Sequence, residues 1–122
     1  MSLVSKLQIT PGHRVAVLRR PAGVELGIAA GDLDEDPAAA DADAAIVFVT
    51  TSADLSTPAA DAIVESARRD AVTWVAYPKA RQLGTDLNRD SLAALLSEKG
   101  IRPVRQIAID DVWSALRFRP GR

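Results

Sequence analysis

The chain has 122 residues, of which 48% are hydrophobic and 25% charged, which is typical of one compact globular domain. Its formal net charge of -1 argues against a general nucleic-acid binder, which would carry a strong basic excess. The absence of cysteine excludes disulfides, thiolate nucleophiles and zinc-thiolate sites. No apolar run reaches the length of a membrane span and the first residues lack the apolar core of a secretory signal, so we expect a cytoplasmic protein without membrane contact.

Charge is distributed unevenly along the chain. The acidic residues that follow one another without an intervening base are Glu25, Asp32, Asp34, Glu35, Asp36, Asp41 and Asp43. The arginines that dominate the C-terminal stretch are Arg102, Arg105, Arg117, Arg119 and Arg122. Such asymmetry can align the protomers of a homodimer or attract a charged ligand, although two solvated surfaces are the simpler explanation.

The first third of the chain predicts one helical turn and one buried strand. Residues 2–9 favour a short helix, and the apolar, β-branched run 13–18 favours a strand. The segment 24–28 predicts a further helical turn. The acidic segment 31–43 predicts a surface connection with at most a short edge strand.

The middle of the chain predicts a parallel strand, helix and strand unit. The continuous apolar run 44–51 is typical of a central strand that is covered on both faces. Pro58 is a helix start signal, and apolar residues recur at helical spacing up to about Asp70. Because the next apolar run, 72–77, is again a strand, the crossover is expected to be right-handed.

The C-terminal third predicts a helix followed by an antiparallel hairpin. Asn88 can cap the helix and Gly100 can end it. The runs 101–109 and 113–119 predict the two strands of the hairpin. The whole pattern predicts a three-layer α/β fold whose sheet is mostly parallel and ends in an antiparallel pair.

The cationic loop after the strand 72–77 contains Lys79 and Arg81. Ligands of open α/β sheets bind just outside the carboxyl ends of the strands, where the first amides of the helix capped by Asn88 would also point. These features predict a site for a small anion that carries a phosphate or carboxylate group. The alternative is a solvated loop in which Lys79 pairs with Asp86 or Asp90.

The C-terminal hairpin supplies three further candidates for this site. Because the hairpin closes the same sheet, Trp113, Ser114 and Arg117 are expected to approach the Lys79 loop. For Trp113, packing in the core or at the rim is favoured over ligand contact, since large aromatic side chains are usually buried. The same holds for Tyr77.

Three other features are interpreted as structural. His13, the only histidine, lies at the start of the first strand, at the end opposite to the expected crevice. The acidic run from residue 32 resembles a calcium loop, but Pro37 stands where glycine is required and Asp43 where glutamate should close the loop. Asp110 and Asp111 are adjacent and would point to opposite faces of a strand, so they form a poor acid-base pair.

Four segments together resemble one protein family. They read ITPGHRV from residue 9, WVAYPK from residue 74, TDL from residue 85 and IDDVWSALRF from residue 109. They are similar to small bacterial proteins known as the domain of unknown function three-zero-five-two. The resemblance spans nearly the whole chain, and the stretch 20–44 matches least. The resemblance implies a Rossmann-like sheet similar to the core of S-adenosylmethionine methyltransferases, ending in the antiparallel hairpin of those enzymes, and it implies no established reaction.

The methyltransferase resemblance implies a glycine-rich turn after the first strand and an acidic residue after the second. Here the turn 19–27 has two separated glycines and contains Pro21, and Asp32 and Asp34 are equal candidates for a ribose contact. Two functions remain in view, because fold alone does not give function. One is a non-catalytic scaffold that binds a small anion or a protein partner, and the other is a small transferase that uses an adenosine-containing cofactor such as S-adenosylmethionine.

Overall fold

A computed structural model describes residues 3–10, 12–28, 30–35, 42–79 and 82–121 of the chain. The helices are α1 (Leu3–Lys6), α2 (Pro58–Arg68) and α3 (Arg89–Ser97). The strands are β1 (Val15–Leu18), β2 (Leu33–Glu35), β3 (Ala44–Phe48), β4 (Val72–Pro78), β5 (Ile101–Ala108) and β6 (Trp113–Pro120). Five residues named above lie outside the described residues: Asp36, Pro37, Asp41, Arg81 and Arg122.

The six strands form one mixed sheet in the order β2-β1-β3-β4-β6-β5. β1 pairs in parallel with β2 and β3, and β3 pairs in parallel with β4. β6 runs antiparallel to both of its neighbours, β4 and β5. The predicted α/β fold with a mostly parallel sheet and a C-terminal antiparallel pair is therefore confirmed. Because β2 and β3 lie on opposite sides of β1, the strand order reverses between β1 and β3.

The central strand and the crossover helix follow from the sequence, but both end earlier than predicted. β3 is buried along its whole length and ends at Phe48. The Val49 N–H still donates to the Ala76 carbonyl of β4, but the N–H groups of Thr50 and Thr51 donate to the carboxylate of Asp54. Pro58 lies in the first turn of α2. Backbone N–H groups in a first turn have no intrahelical acceptor, so the lack of an N–H in proline costs no hydrogen bond there. The helix ends at Arg68, because Asp70 adopts a left-handed φ of 58° that cannot continue it.

The predicted helical turn at 24–28 is wrong. This segment has no regular secondary structure, and Val24 and Leu26 are buried against the sheet. The apolar residues Val24, Leu26 and Ile28 follow a spacing of two, which places them on one side of an extended chain and not of a helix. The edge strand expected within 31–43 is present as β2.

The two faces of the sheet are covered in different ways. α2 and α3 bury one face, where Ile63, Leu92 and Leu96 pack against residues of β3, β4 and β6. The other face is covered by α1 and by the segments 7–9 and 24–28. On that face, the indole Nε1 of the fully buried Trp74 donates to the Leu7 carbonyl at 2.9 Å. The third layer is therefore one helical turn and two irregular segments, attached to the sheet by packing and by this hydrogen bond.

Candidate functional site

Lys79 lies at the carboxyl edge of the sheet, directly after β4. Its backbone N–H donates to the Val112 carbonyl at 2.7 Å, so the turn of the C-terminal hairpin lies beside it. The residue is half-buried. Among the described residues, no carboxylate lies within ion-pair distance of its ammonium group. Lys79 is thus a cation at the edge where open α/β sheets bind ligands.

The two carboxylates considered as partners for Lys79 are placed elsewhere. The Asp86 carboxylate accepts from the backbone N–H of Ser52 at 2.8 Å and from its hydroxyl at 2.5 Å. These donors hold the pKa of Asp86 below its usual range. Neither Asp86 nor Asp90 forms an ion pair with Lys79. The alternative of a solvated loop required Lys79 to pair with Asp86 or Asp90, and neither pair is present.

Asn88 is the N-cap of α3. Its side-chain oxygen accepts from the Ser91 N–H at 2.9 Å, and the Ser91 hydroxyl accepts from the Asn88 N–H at 3.0 Å. This reciprocal pair satisfies two backbone donors that an uncapped helix would leave open. The oxygen of Asn88 is thus already used by the helix, and the side-chain NH2 is the group it can offer to a ligand.

Trp113 and Ser114 lie at the same edge as Lys79 but are buried in the sheet. β6 starts at Trp113, which pairs with Pro78, and Ser114 pairs with Tyr77. The Trp113 ring is 4% exposed and meets Phe48 edge to face, with ring centroids 5.2 Å apart. Ser114 points to the opposite face and is 7% exposed. Packing of Trp113 in the core accounts for its position without a ligand.

Tyr77 also packs in the core, on the helix-covered face. Its hydroxyl accepts from the Gln106 side-chain amide at 2.9 Å. Burial raises the pKa of the Tyr77 hydroxyl, which therefore stays protonated at neutral pH.

Arg117 lies far from Lys79. It pairs with Trp74, four residues before Pro78 in β4, which corresponds to about 13 Å along the strand. Its Nη1 donates to the Gln8 side chain, and its buried Nε has no partner. Burial is the main cause that lowers the pKa of Arg117. The fold therefore brings Trp113 and Ser114 to the Lys79 edge and leaves Arg117 at the other end of the hairpin.

A hydrogen-bonded cluster between β1 and β3 was missed by the sequence analysis. The Asp54 carboxylate forms an ion pair with Arg19 at 2.9 Å and accepts from the N–H groups of Thr50 and Thr51 at 2.7 and 3.2 Å. Burial alone would raise the pKa of Asp54, but these hydrogen bonds outweigh it and hold the pKa below its ordinary value. The hydroxyl of Thr85 donates to the Thr50 carbonyl at 2.5 Å, which attaches the Lys79 loop to the same cluster.

A sequence signal for this cluster exists. Thr51 and Asp54 have the spacing of a capping box, three residues apart before a helix. No local pattern identifies Arg19 as the partner of Asp54, because it lies in the loop after β1, 35 residues away.

The acidic stretch is partly neutralised by basic residues that lie before and after β1. Asp34 forms an ion pair with Arg14 at 2.5 Å, and Glu35 with Arg20 at 2.7 Å. Asp32 accepts from the backbone N–H of Gly12. These contacts place the acidic residues around β2, at one outer edge of the sheet.

The turn after β1 borders a shallow depression of about 70 Å³, lined by Arg20, Glu25, Leu26, Gly27, Ile28 and Leu33. Pockets for small-molecule ligands usually measure about 300–1,000 Å³. Gly27 has a left-handed φ of 74°, and a Cβ there would lie 3.4 Å from a methyl group of Val4. The glycine is therefore explained by its left-handed backbone conformation. The depression is too small to enclose an adenosine-containing cofactor.

The site residues and the sheet thus define an α/β protein in which Lys79, without an ion pair among the described residues, lies at the carboxyl edge with a hydrogen-bonded cluster beside it. No family model matches the chain, and no curated protein matches it. The family resemblance stays a prediction. Within the described residues, no helix is long and apolar enough to cross a membrane.

Proposed function

We propose that this protein is a non-catalytic, methyltransferase-like scaffold that binds a small anion at the carboxyl edge of its sheet through Lys79. The observation that carries the proposal is the position of the Lys79 ammonium group, which has no described carboxylate partner, after the central parallel strand β4. A lysine without a described counter-ion at this edge favours an anionic ligand, because a phosphate or carboxylate group can accept a charge-assisted hydrogen bond from it.

The neighbouring acidic groups support binding over catalysis. Asp54 and Asp86 lie in the loops of this edge, and both accept two hydrogen bonds from backbone or hydroxyl groups of the segment 50–52. A carboxylate held in this way is stabilised in its charged form and is a weak proton acceptor. Their arrangement is typical of a structural cluster that fixes the loops around a cation.

The experiment is calorimetric titration of the full chain with inorganic phosphate, S-adenosylmethionine, its demethylated product and adenosine monophosphate. We expect saturable binding of phosphate or of the nucleotide, and a loss of about tenfold or more in affinity for Lys79→Ala, since a charge-assisted hydrogen bond is removed. Lys99→Ala is the matched control, because Lys99 is exposed in the turn after α3 and has no described side-chain partner.

Two results would contradict the anion site. One is that none of the four compounds binds. The other is that Lys79→Ala and Lys99→Ala weaken binding equally, which would mean that only the net charge of the protein matters. A dimer in solution that dissociates when hairpin residues are substituted, together with no binding of these compounds, would favour a protein-interaction module instead.

The second candidate is a small transferase that uses S-adenosylmethionine. It is favoured by the antiparallel strand β6 between β4 and β5 and by the reversal of strand order at β1, both of which agree with the methyltransferase resemblance. The small depression after β1 argues against it. Saturable binding of S-adenosylmethionine that Lys79→Ala leaves unchanged would support the transferase and not the anion site.

A further inference from the structure

Four arginines form a patch on one face of the C-terminal hairpin. Arg102 pairs directly with Arg119, and Arg105 pairs directly with Arg117. Arg117 and Arg119 are two residues apart on β6, so all four side chains leave the sheet on the same side. These four residues form the arginine patch. The patch lies at the end of the hairpin opposite to Lys79.

The charge of the arginine patch is only partly compensated within the described residues. The Asp70 carboxylate accepts from Nε and Nη2 of Arg119 at 3.0 and 2.9 Å. Arg117 donates to the neutral side chain of Gln8, and Arg102 donates to the Pro120 carbonyl. Asp70 is the one carboxylate that the described structure pairs with the patch, so three positive charges remain without a counter-ion.

Protection of the sheet edge does not explain the patch. β5 is an outer strand, and charged residues, a proline or a bulge on such a strand prevent pairing with another chain. β5 has a bulge and Pro103 in addition to Arg102 and Arg105. Arg117 and Arg119, however, lie on the interior strand β6, where no edge needs protection. Like charges directly opposite each other across two strands destabilise a sheet, so the second pair of arginines calls for an anion.

We infer that the arginine patch binds the phosphate groups of a compact polyphosphorylated small molecule. Guanidinium groups bind phosphate oxygens in a planar, two-point geometry, and directly opposed arginines can hold one phosphate between them. The patch has three uncompensated positive charges, so a ligand with several negative charges matches it better than a ligand with a single carboxylate does.

A compact ligand fits the rest of the molecule better than a nucleic acid. The formal net charge of the chain is -1, so the molecule offers a long polyanion little electrostatic attraction outside the patch. Leu83 and Val104 are the large hydrophobic residues exposed in the described part of the chain, and neither offers an aromatic ring for base stacking. The exposure of Arg102, Arg105 and Arg119 predicts moderate, salt-dependent affinity.

The test is calorimetric titration of the full chain with tripolyphosphate at fixed ionic strength. We expect saturable binding, and an increase of about fivefold in Kd for Arg105→Gln, whose guanidinium has no described partner to lose. Arg105→Gln combined with Arg102→Gln is expected to weaken binding further. The matched control is Arg89→Gln, which removes the same charge from an exposed residue at the start of α3. Without ligand, Arg105→Gln should raise the urea midpoint of unfolding, since the substitution relieves repulsion between Arg105 and Arg117. A cooperative transition in the same measurement shows that the variant folds.

The inference is overturned if tripolyphosphate does not bind, or if Arg89→Gln weakens binding as much as Arg105→Gln. It is also overturned if Lys79→Ala alone weakens binding, because the tripolyphosphate would then occupy the carboxyl edge. Binding of a short DNA duplex more tightly than tripolyphosphate, with a steep salt dependence, would identify a nucleic-acid surface instead. Failure of the Lys79 site leaves this test unaffected, since the two sites use different residues and different probes.

Discussion

Asp54 stabilises the carboxyl edge through one carboxylate with three donors. Its oxygens accept from Thr50, Thr51 and Arg19, which belong to two different loops. The pKa of Asp54 lies below its ordinary value of 3.8 in the folded protein. Because the unfolded chain binds the proton more readily, this group stabilises the fold above about pH 4, and the contribution is lost as the pH falls through the folded pKa.

Asp54→Asn is therefore expected to lower the free energy of unfolding by about 1–3 kcal/mol at pH 7, since an amide NH2 would face backbone donors. The difference in the free energy of unfolding between the variant and the wild type should narrow as the pH is lowered below about 4, because the wild-type carboxylate then becomes protonated. Urea denaturation at several pH values measures both effects. Asp61→Asn, on the exposed side of α2, serves as the control. Parallel pH profiles for Asp54→Asn and the wild type would contradict the assignment.

At the scale of the element, α3 shows how a site candidate can be part of a helix cap. Asn88 and Ser91 satisfy each other's backbone N–H groups, and Leu92 and Leu96 bury one side of the helix against the sheet. The helix has nine residues, a length that is marginal without packing and capping. The cap thus fixes where the chain leaves the Lys79 loop.

Asn88→Ala is expected to lower the free energy of unfolding by about 1 kcal/mol, because the N-cap acceptor is lost. Asn88→Asp keeps an acceptor and should retain most of the stability. Urea denaturation gives the stability, and titration with inorganic phosphate gives the binding. If Asn88→Ala leaves stability unchanged and weakens phosphate binding, Asn88 acts as a ligand residue and not as a cap.

At the scale of the whole molecule, stability is concentrated in the middle of the sheet. All five residues of β3 and six of the seven in β4 are buried, whereas none of the three residues of β2 is. The outer strands carry the charged features, with ion-paired acidic residues around β2 and arginines on β5. The sheet therefore has a rigid centre and polar edges.

Amide hydrogen exchange should follow this arrangement. We expect the slowest exchange in β3 and β4, where backbone groups are paired on both sides and covered on both faces, and faster exchange in α1 and β2. Residue-resolved exchange measured by NMR tests the order. Greatest protection in the β5 and β6 hairpin would show that the hairpin, and not the parallel centre, is the most stable unit.

The sequence by itself determined the elements that depend on local pattern. The apolar run of β3, the helical spacing of α2, the cap of α3 and the alternation in the hairpin each predict their element within a few residues. The position of Lys79 after a strand was predicted for the same reason, since a proline ends β4. The predicted helical turn at 24–28 is wrong, because the spacing of two between its apolar residues is that of an extended chain.

The tertiary structure alone decided which side chains meet. Strand order and register decide that Arg19 meets Asp54 and that Arg102, Arg105, Arg117 and Arg119 lie on one face. They also separate Arg117 from Lys79, because Arg117 pairs with Trp74 whereas Lys79 follows Pro78. Register is fixed by burial of whole faces, to which residues far apart in the chain contribute, and no local spacing encodes it.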